Sequence, residues 1–321
     1  MFRQKLKALR KPDMYHGWGK TKNYFEGWYF KLIDATEKHA LAIIPGISIS
    51  PEGEQGAFIQ ILDGKACTAA FIPFDANTFS PDNDRFFVKI KDNEFSGDYI
   101  KLDLDNIKGT IRFLDTQPIE NTLLSPGIMG WYSYVPLMEC YHGIVSMNHR
   151  LEGELIIDGQ RVDFTGGKGY LEKDWGKSFP SSWIWMQTNH FEYHEASLMV
   201  SVANIPFLGN HFIGFLISFW LDGKFYRFAT YTGAKMTYAN VYDDRVELKF
   251  KNGKHQLIVT AFKGATGELV SPIEGNMAGK VNESLDAKIH FKLLKNDQVV
   301  FDDWGRNAGL EVAGDYKELL T

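Results

Sequence analysis

Two cysteines in 321 residues, Cys67 and Cys140, are too few and too far apart for a disulfide framework or a thiolate metal cluster. They fit free thiols in a reducing compartment, so the expected address is the cytoplasm. Positive charge is scarce as well. Lys and Arg number 35 against 40 Asp and Glu, and the net charge of −5 offers no basic face to nucleic acid. No apolar run is long enough to span a bilayer, and the opening "MFRQKLKALRKPD" is basic without the apolar stretch of a secretory signal. A short amphipathic helix is expected there, and contact with a membrane is expected to be peripheral at most.

The signatures of nucleotide and metal chemistry are missing too. "GWGKT" (17–21) imitates the end of a phosphate-binding loop, but Met14 stands where the defining glycine belongs and no apolar strand precedes it. "GGKG" (166–169) lacks the helix of a dinucleotide fingerprint and reads as a turn. There is no G-x-S-x-G elbow and no HExxH pair. His190 and His194 in "HFEYH" have a spacing that converges only on a helix, and they follow a strand pattern. No cofactor and no metal are therefore expected.

What the chain has in quantity is rings and two-residue alternation. Aromatic residues make up 14% of it, enough to pack a β-rich core or to line a cavity for an extended apolar ligand. Tight-turn pairs recur between apolar runs: Asp63-Gly64, Asp92-Asn93, Asp158-Gly159, Asp222-Gly223 and Asn252-Gly253. "YIKLDLDNIKGTIRFL" sets Ile100, Leu102 and Leu104 against Lys101, Asp103 and Asp105. The pattern predicts an all-β meander of barrels or sandwiches with minor helix. It also repeats. "EGWYFKLI", "HALAIIPGIS" and "GAFIQILDGKACTAAFI" are echoed in order by "SWIWMQTN", "ASLMVSVANI" and "IGFLISFWLDGKFYRFATY". Two similar antiparallel units follow, with residues 1–23 as an N-terminal segment, 24–165 as the first unit and 166–321 as the second.

The segment "GYLEKDWGKSFPSSWIWMQTNHF" (169–191) concentrates polar tips among rings. As a strand it places Trp183, Trp185, Gln187, Asn189 and Phe191 on one face, and Ile184, Met186, Thr188 and His190 on the other. Rings with amides among them suit a pocket wall that takes an apolar body and a polar head. Just before it stand Tyr170, Glu172, Asp174 and Trp175, for which ion pairing with Lys168, Lys173 or Lys177 is the purely structural expectation. "MECYHGIVSMNH" gathers Glu139, Tyr141, His142 and His149, a group able to relay protons inside an aromatic barrel.

This segment, with "NYFEGWYFK" and "GRNAGLEVAGD", resembles the tocopherol cyclase family, whose members share an E-K-[ND]-W-G, F-P, W-x-W-x-Q-x-N run and an E-G-W-Y-F start. The resemblance spans Asn23 to Gly314. It implies a pair of lipocalin-like (calycin-type) β-barrel halves and an apolar small-molecule substrate. One departure is Asp174, where the plant cyclases carry asparagine. The implied reaction protonates a trisubstituted alkene on a prenyl tail, and a quinol oxygen then captures the tertiary cation. Such chemistry needs a carboxylic acid in apolar surroundings, ring faces beside the cation and a group to take the phenol proton. On the resemblance, Asp174, Glu172 and His142 are the catalytic candidates, with Glu26 or Glu311 as alternative acids. Trp28, Tyr170, Trp175, Trp183, Trp185, Gln187 and Asn189 are the substrate-binding candidates. Capture by water would make the protein a hydratase of isoprenoids. Without chemistry, the same cavity would serve a carrier of apolar ligands.

Overall fold

In the computed structural model of the chain the described residues are Gln4, Lys7, Ala8 and 11–320, apart from 123, 124, 137 and 208. The amphipathic helix expected at the start falls mostly outside them. Alternating apolar and polar residues form strands because successive side chains then reach opposite sheet faces. The first sheet opens with β1 (Tyr24–Ile33), β2 (Ala40–Ile49), β3 (Gln55–Asp63) and β4 (Thr68–Asp75). It continues with β5 (Phe79–Pro81), β6 (Phe87–Ile90), β7 (Asn93–Ser96), β8 (Tyr99–Asp103) and β9 (Ile107–Leu114). The long β10 (Cys140–Ile157), β11 (Gln160–Asp163) and β12 (Lys168–Gly176) complete it. The second sheet holds β13 (Ser182–Thr188), β14 (His190–Phe191), β15 (Ala196–Phe207), β16 (Asn210–Leu221) and β17 (Lys224–Ala229). After these come β18 (Lys235–Val241), β19 (Arg245–Asn252), β20 (His255–Phe262), β21 (Gly267–Ile273), β22 (Asn276–Lys295) and β23 (Gln298–Gly314). Among the described residues Gln4, Lys7 and Ala8 are α-helical, the remaining helix is short 3-10 turns, and no helix is long and apolar enough to cross a membrane.

The two sheets share a strand order. The first runs β4-β3-β2-β1-β12-β10-β9-β8-β7-β6-β5 and the second β17-β16-β15-β13-β23-β22-β20-β19-β18. In each, a four-strand meander is joined through its first strand to a late strand of the same half: β1 to β12, and β13 to β23. This is the three-dimensional form of the repeat. Both paths are open at their ends, yet one face of each sheet bends onto a single apolar core. Trp28, Phe30, Ile43, Ile59, Val88, Ile111 and Leu171 share the first core; Ile184, Met186, Val200, Ile217, Leu248 and Phe291 share the second.

The pattern of repeats places the join at residue 166, but β12 pairs with β1 and β10, and the compact units divide later. Unit 1 comprises 1–63, 69–179 and 269–280; unit 2 comprises 64–68, 180–268 and 281–321. Turn chemistry holds at Asp158-Gly159 and Asp222-Gly223, where all four residues take positive φ, as tight hairpins require. One turn shifts by a residue. Lys91, with φ 54°, and Asp92 make the bend, while the Asn93 amide donates to the Ile90 carbonyl at 3.1 Å and accepts from the Asp103 amide at 2.8 Å.

Candidate active site

Alternation along β12 sorts the opening acids from the rings beside them. Leu171 and Trp175 turn into the core of unit 1. Tyr170, Glu172 and Asp174 take the opposite face, opposite Lys31, Tyr29 and Gly27 of β1. On its other edge β12 pairs with β10, which sets His142 beside Asp174 and Ile144 beside Glu172. The register breaks just after Ile144, a bulge that redirects the strand two residues beyond His142. Although turned from the core, Tyr170 and Glu172 are buried, while the Asp174 side chain keeps 25% exposure.

These side chains form a polar array in which His142 Nε2 faces a carboxylate without making a hydrogen bond. The Tyr170 hydroxyl donates to Glu172 Oε2 at 2.5 Å, Glu172 Oε2 faces His142 Nε2 at 3.5 Å, and His142 Nδ1 bonds Asp174 Oδ1 at 2.9 Å. Burial works against charge on His142, but the Asp174 and Glu172 carboxylates outweigh it and push its pKa up from 6.5 to about 9. The ring is therefore an imidazolium at neutral pH, wedged between two acids. Burial and the same carboxylates hold Tyr170 well above the ordinary tyrosine range, so it stays a donor. His142, Glu172 and Asp174 also bring three potential metal-ligand atoms within 4.8 Å, a donor set suited to a divalent cation that would have to displace the imidazolium proton. Sequence spacing had not disclosed this cluster.

Two of the lysines expected beside these acids have other partners. Lys177 pairs with Glu274, and Lys173 lies on the core face of β12 against Glu26 at 2.5 Å, both side chains fully buried. There the Lys173 ammonium also donates to the Met14 carbonyl and to His16 Nδ1, and it stands over the Trp28 and Trp175 rings at 4.9 and 4.6 Å. The Glu26 carboxylate accepts the Tyr24 hydroxyl and the backbone amides of His16 and Gly17. Burial opposes its charge, yet Lys173 and His16 hold its pKa below the usual range, so Glu26 is an ionised structural partner and a poor proton donor. Trp28 and Trp175 thus shield a buried ion pair on the face opposite Glu172 and Asp174.

The aromatic-amide strand belongs to unit 2. Ile184 and Met186 enter its core, whereas Trp183, Trp185 and Gln187 point to the other face, as alternation requires. Trp183 is half-buried and its indole N–H donates to Glu311 Oε2 at 2.6 Å; Trp185 and Gln187 are buried. Trp185 lies so close to Gly309 that a Cβ there would sit 2.6 Å from the ring. Phe191 departs from the expected face and packs in the core with Ile184. The strand pair is interrupted between them. Thr188 Oγ1 donates to the Arg306 carbonyl and accepts from the His190 amide, and Asn307 takes φ 46°. Asn189 bonds His190, while His194 bonds Asp303. Sequence reasoning missed Glu283. It is buried and lies directly across β22–β23 from Glu311, and only strand register could reveal it.

Residues 116–314 match the family model described as tocopherol cyclase-like. Over 112 residues the chain is 30% identical to the chloroplastic tocopherol cyclase of Zea mays, a stretch that is 32% of this chain and only 23% of the maize protein. Two solved structures share the fold across nearly the whole chain. A protein assigned as AttH from Nitrosomonas europaea aligns with TM-score 0.58 and 15% identity, covering 90% of this chain and 92% of its own. CghA with Sch210972 aligns with TM-score 0.59 and 11% identity, covering 91% and 88%. The chain, with its two like-ordered β sheets, belongs to the tocopherol cyclase-like family.

Proposed function

We propose that the protein catalyses acid-driven cyclisation, or hydration, of a prenylated quinol or related isoprenoid, without a cofactor. The observation that carries this reading is the Tyr170–Glu172–His142–Asp174 array, a chain of proton donors and acceptors in buried surroundings. The proton held on the His142 imidazolium passes through the carboxylate of Glu172 or Asp174 to the less substituted alkene carbon, leaving a tertiary cation. The quinol oxygen attacks that cation, a C–O bond forms, and the phenolic proton returns through the same carboxylate to His142. Atoms and charge balance, and the product is an isomer of the substrate. His142 passes protons between the two acids, and Tyr170 orients Glu172. A cytoplasmic address remains part of this reading, supported by the free thiols of Cys67 and Cys140.

The test is turnover of prenylated quinols in D2O, with products separated by chromatography and weighed. The expected product carries one carbon-bound deuterium. Glu172→Gln and Asp174→Asn should each be assayed, and the acid that matters should lower kcat by about 10²–10⁴ with little change in ligand affinity. Tight binding of the quinol with no product from the unmodified protein would replace the enzyme by a carrier.

A further inference from the structure

The connection from β9 to β10 ends in a surface of unusual chemistry. From Asn121 through Met138 the sequence has no acidic residue, basic residue or histidine. Ile128 and Met129 are buried and anchor the segment. Beyond them a 3-10 turn at Gly130–Tyr134 displays Trp131 with 52% and Tyr134 with 42% of their surface exposed. The turn is held firmly: Ser133 Oγ donates to the Pro126 carbonyl at 3.2 Å, and the Tyr141 hydroxyl donates to the Val135 carbonyl at 2.8 Å. Trp131 and Tyr132 pack edge to face at 4.4 Å. Rings with a polar tip, exposed on an uncharged rim, are the side chains that settle at the boundary between headgroups and acyl chains.

A second feature gives that rim a charge partner. Residues 1–12 include Arg3, Lys5, Lys7, Arg10 and Lys11 and no acid, in a chain whose net charge is −5. The residue after Lys11 touches the loop: Pro12 lies 3.1 Å from where a Cβ on Gly127 would stand, and 3.2 Å from one on Gly143. Pro12, which follows the basic stretch in sequence, therefore adjoins the aromatic loop, while Lys7 pairs with Asp84. Lys and Arg clustered in the sequence that leads to this loop, with interfacial Trp and Tyr on it, match a surface of anionic lipid, whose headgroups attract the charges while the rings enter the boundary.

We propose that the loop 127–136 and the basic N-terminal stretch together dock unit 1 on an anionic lipid bilayer. The loop also reaches the polar array, since the His142 amide contacts Met129 Sδ at 3.1 Å. A docked protein would thus hold that array close to lipid. The inference rests on this surface and stands independently of the proposed reaction.

The experiment is flotation of the full chain with vesicles of phosphatidylcholine alone and of phosphatidylcholine containing phosphatidylserine, without substrate. Binding is expected to the anionic vesicles, weakened by 0.5 M salt, where the screening length is roughly 4–5 Å. Trp131→Ser with Tyr134→Ser, and separately Lys5→Ser with Arg10→Ser and Lys11→Ser, should each weaken it about tenfold or more. Brominated lipids should quench tryptophan emission, and Trp131→Phe should remove most of that quenching. Failure to float with either vesicle, or binding by the loop variant equal to the unmodified chain, overturns the proposal. Equal binding to neutral vesicles overturns the role given to the basic stretch. A self-associated species that dissolves on Trp131→Ser would assign the surface to a second copy of the chain instead.

Discussion

His142 shows how a single side chain acquires a role from its neighbours. Burial alone would drive its proton off, as it does for His149, whose pKa falls to about 3 where no acid stands by. With Asp174 and Glu172 on either side, His142 moves the other way, to about 9. Replacing either carboxylate by its amide therefore changes two things: it breaks the path of the His142 proton and it lets the His142 pKa fall. The pH–rate profile of Asp174→Asn should consequently lose activity at a lower alkaline pH than the unmodified protein, and an unshifted alkaline limb would detach His142 from the reaction. Trp185 makes a different contribution. Trp185 is buried against Gly309, so Trp185→Ala is expected to cost about 3–5 kcal/mol of stability, which urea unfolding reads directly.

At the scale of the element, β12 carries two polar systems on its two faces, Lys173 inward and Glu172 with Asp174 outward. The inward pair is the more demanding structurally. Removing one partner leaves a buried charge uncompensated, so Lys173→Met should cost about 3–5 kcal/mol in urea unfolding. Lys173→Met with Glu26→Leu should cost clearly less, because neither charge then remains. Lys177→Ala is the control, since its pair with Glu274 is about half exposed on both sides and worth at most about 1 kcal/mol. If the double variant is no better than Lys173→Met, the cost lies in the packing around Trp28 and Trp175 and not in the charge. How the alternation reads also depends on the element. It assigns Trp183, Trp185 and Gln187 to one face of β13 correctly, and it fails at Phe191 because the break at Thr188 and Asn307 resets which residues face inward.

Over the whole molecule the buried ionisable groups set a window of stability in pH. His142 is raised, so the stability it contributes is complete below 6.5 and is lost as pH climbs through about 9. His149 is lowered. The unfolded chain then takes up its proton first, and stability declines as pH drops from 6.5 toward about 3. Glu26 and Asp303, both held below the ordinary carboxylate range, add to the acid loss as pH falls through their folded pKa values. Thermal melting should therefore be flattest near neutral pH and fall on both sides. His142→Gln should flatten the alkaline limb while leaving the acid limb in place; an unchanged alkaline limb would mean that His142 is not held charged in the fold.

Sequence alone determined the β class, the doubled meander and the family. These depend on local rules: side chains alternate across a strand, Asp-Gly pairs accept positive φ, and motif residues keep their spacing along the chain. It also set Glu172 with Asp174, and Trp183 with Trp185 and Gln187, on common strand faces, because alternation states which residues share a side. Partners were beyond its reach. His142 meets Asp174 only because β10 and β12 pair in one register, and Lys173 meets Glu26 only because β1 pairs on the other edge. Periodicity gives a residue its face, but the partner on that face comes from strand order and register, which are settled when distant segments hydrogen-bond. For the same reason Trp175 left the acids it adjoins in sequence for the core, and Glu283, separated from Glu311 by a hairpin, came to stand beside it.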